Sequence, residues 1–315
     1  MSTAVINPSQ STLRPSRALP IYAAAVLAFM VLVILWGAVV RATGSGAGCG
    51  NHWPLCNGDF FPHHPRLATI IEFTHRSMSG ICTALVAGLI AWTFAIRPRG
   101  HRSRRAVVWC GVLLITEALL GAVLVKGGYV EANASNMRVV MQCVHFTNTM
   151  LLLAALSVSW WWLGERQIIS LSGAKPHAIA WTTLAVTIVV GATGSVAALA
   201  DTLFPAPSLR DGIAQDFAIA APLIVRMRWL HPAAAIIALA CALWLCSKLV
   251  TRKSQVATWL LLLIAAQFIM GAADVLLLAP TWMQVLHLLG ADLYWIALVA
   301  ACTSILAPQH ESIST

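Results

Sequence analysis

Eight stretches of this 315-residue sequence, 19–41, 67–96, 105–125, 138–163, 178–200, 222–247, 255–279 and 282–306, stay apolar for about 20 residues, enough to cross the hydrocarbon of a bilayer. In lipid every backbone N–H and C=O must be satisfied inside the protein, so spans of this length predict helices. Composition agrees, with 59% hydrophobic residues, 10% charged residues and a mean hydropathy of +0.80. The expected fold is all-α: a polytopic membrane protein of eight transmembrane helices, with lipid as its main surroundings and little chain left for a soluble domain.

The formal net charge of +9 does not point to nucleic acid, because the basic residues sit between apolar spans and form no stripe with interleaved aromatics. They report orientation instead. Arg97, Arg99, Arg102, Arg104 and Arg105 crowd one short gap, and Arg14, Arg17, Arg166, Lys175, Lys248, Arg252 and Lys253 fall on the same side. The positive-inside bias then places both termini in the cytoplasm. The first span ends at Arg41 without a small-residue cleavage site and reads as a retained helix rather than a signal peptide. A bacterial plasma membrane is expected, since a basic start of about 18 residues is short for a mitochondrial presequence.

Two motifs alternate along the spans. The odd-numbered spans carry Gly-Ala pairs, at Gly37-Ala38, Gly121-Ala122, Gly191-Ala192 and Gly271-Ala272, and the even-numbered ones carry His75, His145, His231 and His287. Spacing from each glycine to the next histidine is 38, 24, 40 and 16 residues, a long-short-long-short order. That order predicts two tandem four-helix bundles, 1–163 and 164–315, related by a pseudo-two-fold axis along the membrane normal. The small residues are expected to let helix backbones approach closely.

Each histidine lies six to nine residues inside the outer end of its span, roughly 10 Å into the hydrocarbon. Ionisable groups in lipid are costly, and four at one depth are a functional signal. Two facing imidazoles in a four-helix unit suit the two axial positions of a haem iron, so the pairs expected are His75 with His145 and His231 with His287. Zinc or copper fits less well, because no acid or cysteine recurs beside all four histidines. Haem propionates need cations, and Arg41, Arg76, Arg138, Arg226 and Arg228 lie near the outer ends of spans. The alternative for each arginine is interfacial snorkelling.

The halves differ in one loop. The first outer loop reads Gly44-Ser45-Gly46-Ala47-Gly48-Cys49-Gly50-Asn51-His52-Trp53-Pro54-Leu55-Cys56-Asn57-Gly58 and leads into Glu72-Phe73-Thr74-His75-Arg76; the matching region at 200–222 has no cysteine. No other histidine has an acid three residues before it: those positions hold Gln142, Arg228 and Gln284.

The Gly-rich turn, Cys49, Trp53-Pro54, Cys56 and the Glu72-x-x-His75-Arg76 run resemble the haem A synthase family, over essentially the whole chain. The resemblance implies oxidation of the C8 methyl of haem O to a formyl group, giving haem A for terminal oxidases. It also implies haem O between His75 and His145; by their position in the sequence, Arg41 and Arg76 are expected as propionate partners of that site. A haem B cofactor is implied between His231 and His287, with Arg226 and Arg228 nearby, and Glu72 as the catalytic residue. Many members carry a second cysteine pair in the second large outer loop; this sequence lacks it, and no role for that pair transfers.

Read from the residues alone, Glu72 can serve as a proton acceptor or merely pair with Arg76 at i,i+4 spacing. Cys49 and Cys56, seven apart on the oxidising side, can close a disulfide or stay a redox-active thiol pair, and the disulfide is the expectation. Glu117 and Gln267, each four residues before a Gly-Ala pair, are expected to share a packing or hydrogen-bonding role. Asp274 and Asp292 have no assignment. An electron acceptor in the membrane and a haem O synthase are the expected partners, and a homo-oligomer is left open. The competing functions are a di-haem transmembrane electron-transfer cytochrome and a haem or metal transporter.

Overall fold

The computed structural model describes residues 17–166, 168–169, 174–250 and 255–307, so Arg14, Arg252 and Lys253 lie outside the described residues. Those residues form helices α1 (Ala18–Ala42), α2 (Leu67–Ile96), α3 (Arg102–Lys126), α4 (Asn136–Leu163), α5 (Ala174–Leu203), α6 (Leu209–Phe217), α7 (Leu223–Arg226), α8 (Leu230–Val250), α9 (Gln255–Leu276) and α10 (Thr281–Leu306). Eight candidate membrane spans result, with α7 and α8 together making the sixth. Among the described residues no strand forms, and the two residues of the one isolated bridge, Cys56 and Asp59, belong to a turn.

Local chemistry accounts for the ends of these helices. Ser135 accepts the Arg138 backbone N–H to cap α4, and Ser208 accepts that of Asp211 to cap α6. His101 caps α3 through Nδ1, which accepts the Ser103 backbone N–H at 3.2 Å. Burial, with the Arg97 guanidinium adding to it, holds that imidazole below its ordinary pKa, in keeping with an acceptor role. Inside the spans, hydroxyls are satisfied by carbonyls one turn back: Ser157 by Leu153, Thr183 by Ile179 and Thr187 by Thr183. Exposed Trp109, Trp181 and Trp259 present the apolar surface that lipid requires.

Four helices make the centre. α1 packs on α2, α4, α5 and α10; α4 packs on α1, α3, α5 and α10. In the first half α1, α2, α3 and α4 close a ring of neighbours, and in the second half α5, α8, α9 and α10 close another. The core between them includes Leu19, Val26, Leu152, Leu156, Leu298 and Ile305, all almost fully buried. Trp295 Nε1 donates to Met150 O at 2.8 Å, tying α10 to α4 across the halves.

Two features depart from the sequence reading. The region at 200–222, to which the sequence reading assigned no secondary structure, contains the capped helix α6. The sixth span is interrupted after Arg226, so that His231 sits at the second residue of α8 rather than deep within one helix. Pro232, lacking an N–H and next to His231, was the sequence signal for that break.

Candidate functional site

The spans alternate in direction, so all four histidines lie near the end of the bundle that carries the 43–66 loop. His75 is on α2, His145 on α4, His231 on α8 and His287 on α10. Each half therefore supplies one histidine from a central helix and one from a flanking helix. The His231 and His287 rings stand 6.3 Å apart between centroids, at 77° to each other. His75 and His145 lie within electrostatic range of one another.

The ring nitrogens have few partners. Nδ1 of His231 lies 3.1 Å from Val190 O, and Nδ1 of His145 lies 3.5 Å from Glu117 Oε1. Nδ1 of His75, His145 and His287 is buried without a hydrogen bond. Ring nitrogens without hydrogen bonds are free for a metal. With metal–imidazole bonds of about 2 Å on either side, two rings 6.3 Å apart also leave room for one iron between them. The residues present thus fit a haem.

Glycines hold the rings. A Cβ added at Gly37 would stand 3.1 Å from His75 Cε1, one at Gly194 would stand 2.9 Å from His231 Cε1, and one at Gly271 would stand 3.3 Å from His287 Cε1. The expectation for the Gly-Ala pairs needs correction here. In α1 and α9 the close approach is to a histidine ring rather than to a backbone, and Gly121 meets nothing within 4 Å. Gly191 packs against Met150 and Phe146, while Gly194, three residues on, takes the imidazole. Gly194→Ala should tilt His231 and weaken haem retention by roughly tenfold to a hundredfold, the range for disturbed ligand orientation, measured as haem loss to apomyoglobin. Unchanged retention would show the ring to be free of the helix.

The first loop is locked onto α2. Cys49 and Cys56 form a disulfide, as expected, and both are buried. Glu72, 3% exposed, accepts the Cys49 backbone N–H at 2.7 Å on Oε2 and binds Arg76 through Oε1 at 2.5 Å. Arg76 then donates from Nη1 to His52 O and Leu55 O, both at 2.6 Å. Thr69 Oγ1 donates to Gly48 O at 2.7 Å, and a side chain at Gly48 would collide with the backbone of Ala68 and Thr69. The i,i+4 pairing of Glu72 with Arg76 is therefore present, and both side chains also clamp the loop. The contact to Cys49, 23 residues away, had no sequence signal.

The arginines divide by partner. Arg138 donates to the carbonyls of Glu131 and Asn133, and Arg228 is paired with Asp201 at 2.9 Å and Asp216 at 2.7 Å. Arg226 is exposed. Arg41 goes from α1 to the other half: Nη1 donates to Ala198 O and Thr202 Oγ1 at 2.6 Å, and Nη2 to Gln284 Oε1 at 2.7 Å. All three partners are neutral. Gln284 lies three residues before His287, so the structure places Arg41 beside the second histidine pair, where the sequence reading grouped it with the first. Beside His145, the lipid-facing sides of α3 and α4 leave an apolar groove of about 570 Å³ whose lining includes Leu119, Leu120, Cys143, Thr147 and Leu151.

Residues 20–299 match the sequence profile of a cytochrome oxidase assembly protein family. Two proteins named protoheme IX farnesyltransferase, from strains of Thermus thermophilus, are 40% identical over 297 residues, covering 90% of this chain and 48% of their own length. The chain thus spans about half the length of these curated relatives. Proteins named heme A synthase, from Bacillus cereus and Bacillus anthracis, are 39% identical over 103 residues, 33% of either chain. The eight-span helical architecture and the match over most of the sequence lead to one conclusion: the chain belongs to the cytochrome oxidase assembly protein family, that of the haem A synthases.

Proposed function

We propose that this protein oxidises the C8 methyl of haem O to a formyl group, giving haem A for terminal oxidases. The observation that carries the proposal is the pair of imidazoles at 6.3 Å on α8 and α10, joined to a second pair on α2 and α4 within a haem A synthase family member. In this reading His75 and His145 hold the substrate and His231 and His287 hold haem B. The recurring ring of helix neighbours supports two duplicated halves, 1–163 and 164–315, with pseudo-two-fold symmetry.

Bound haem B supplies one-electron redox chemistry; the chain's own residues orient and enclose. Arg41, whose hydrogen bonds all go to neutral groups, is assigned to a propionate of the second haem rather than of the substrate. Exposed Arg226 remains available to the same haem, whereas Arg228 and Arg76 are engaged by carboxylates and serve the protein's own loops. The groove beside His145 suits the isoprenoid tail of haem O. Glu72 is assigned as the residue that takes a proton or balances charge at the reacting edge. The basic run at 97–105 supports an orientation with both termini cytoplasmic, and a plasma membrane is the assigned location. A farnesyltransferase acting on protohaem makes a prenylated haem, so a partner of that class, as named for the Thermus relatives, is the assigned source of substrate. Methyl to formyl takes up the oxygen of one water and releases four protons and four electrons, and a membrane electron acceptor takes the electrons.

Extraction of haems from purified protein, with and without co-produced haem O, tests the reading. Haem B alone without it, and haem B with haem A or O beside it, is the expected result. Haem B alone under both conditions would favour an electron carrier.

A further inference from the structure

Glu117 lies on α3 and faces His145 on α4. Its Oε1 stands 3.5 Å from His145 Nδ1, a nitrogen with no hydrogen-bond partner. The carboxylate is aimed by its neighbours: Asn148 Nδ2 donates to Oε2 at 2.6 Å, and Thr149 Oγ1 donates to Oε1. Asn148 is itself fixed, since Nδ2 also reaches Leu113 O at 2.9 Å and Oδ1 accepts from Thr116 at 2.7 Å. Neither donor to Glu117 is charged, and no Lys or Arg pairs with it among the described residues. A carboxyl group inside a membrane span is costly, and this one is aimed at an imidazole.

The second half repeats the register without the charge. Gln267 lies four residues before Gly271, as Glu117 does before Gly121, and it packs against Gly290, which follows His287 by three as Asn148 follows His145. Gln267 Nε2 has no hydrogen-bond partner, nor has His287 Nδ1. His231 faces the neutral Val190 carbonyl. Of the four histidines, His145 alone lies within 4 Å of a carboxylate among the described residues.

We propose that Glu117 is a positioning residue for His145: it accepts the Nδ1 hydrogen, leaves Nε2 free for iron and places a negative charge behind that ligand. The haem held by the first pair then has a lower reduction potential than the haem held by the second. This rests on the assignment of His75 and His145 as a haem pair. A second-sphere carboxylate strengthens the ligand's donation and stabilises the oxidised metal. The first site is thereby poised to lose electrons and the second to take them.

Spectroelectrochemical titration of the full chain carrying both haems tests this. Glu117→Gln should raise the lower midpoint by about 59 mV, a tenfold change in the oxidised-to-reduced ratio, and leave the other in place. Glu117→Asp should restore most of the shift, a readout that loss of packing alone would not produce. Gln267→Glu should lower the second midpoint alone. Two unmoved midpoints in Glu117→Gln overturn the proposal. Where Glu117→Gln retains no haem at the first site, Gln267→Glu decides: a second midpoint that does not fall overturns it. A wild-type protein that takes up only one haem even when haem O is co-produced overturns the pair assignment itself, with this inference.

Discussion

Glu72→Gln is expected to leave haem B bound at His231 and His287 while haem O accumulates unconverted, with turnover reduced by about a hundredfold to a thousandfold. The amide keeps the shape of the carboxylate but cannot take a proton or balance developing positive charge. The structure adds a second consequence. Glu72 accepts from both the Cys49 N–H and Arg76, and an amide must turn its NH2 toward one of these donors. Losing a hydrogen bond to a charged group costs roughly 1.5–3 kcal/mol, so the 43–66 loop should loosen as well. Limited proteolysis of that loop and haem analysis by chromatography therefore belong in one experiment. A loosened loop with normal haem A formation would make Glu72 a clamp and move the oxidation chemistry to another residue.

The second large effect is at the C-terminal pair. His231→Ala and His287→Ala should each abolish the low-spin spectrum of the haem B proposed there, because each removes one of the two proposed axial nitrogens and leaves the facing ring without a partner 6.3 Å away. The loss should exceed the tenfold to hundredfold expected for Gly194→Ala, about what separates a ligand from its support. His177→Ala, an exposed position, is the control and should leave the spectrum intact. Retention of a normal low-spin haem B signal in both ligand variants would remove these histidines from the site.

The spans could be read from sequence because crossing a bilayer is a local demand: about 20 apolar residues in a row suffice, whatever lies beside them. Boundaries moved by a few residues, as where the span expected at 105–125 begins at Arg102 and the one expected at 255–279 ends at Leu276. That the four histidines share one end of the bundle was legible for a similar reason, residue type at regular spacing, and the disulfide from two cysteines close together in one loop. What escaped was contact across long stretches of chain. Arg41 was grouped with His75 by nearness in sequence, yet its partners are 157 to 243 residues away. Glu72 showed its i,i+4 partner but not Cys49. The Gly-Ala repeat pointed at the right helices, but the interruption before α8 brings His231 to Gly194 instead of Gly191.

The reach of Arg41 into α5 and α10 also bears on biogenesis. The Arg41 guanidinium on α1 gains its full set of partners only when α5 brings Ala198 and Thr202 and α10 brings Gln284. Gln284 and His287 are on the last of the described helices. For the haem proposed at His231 and His287, the complete site therefore exists only once α10 has docked.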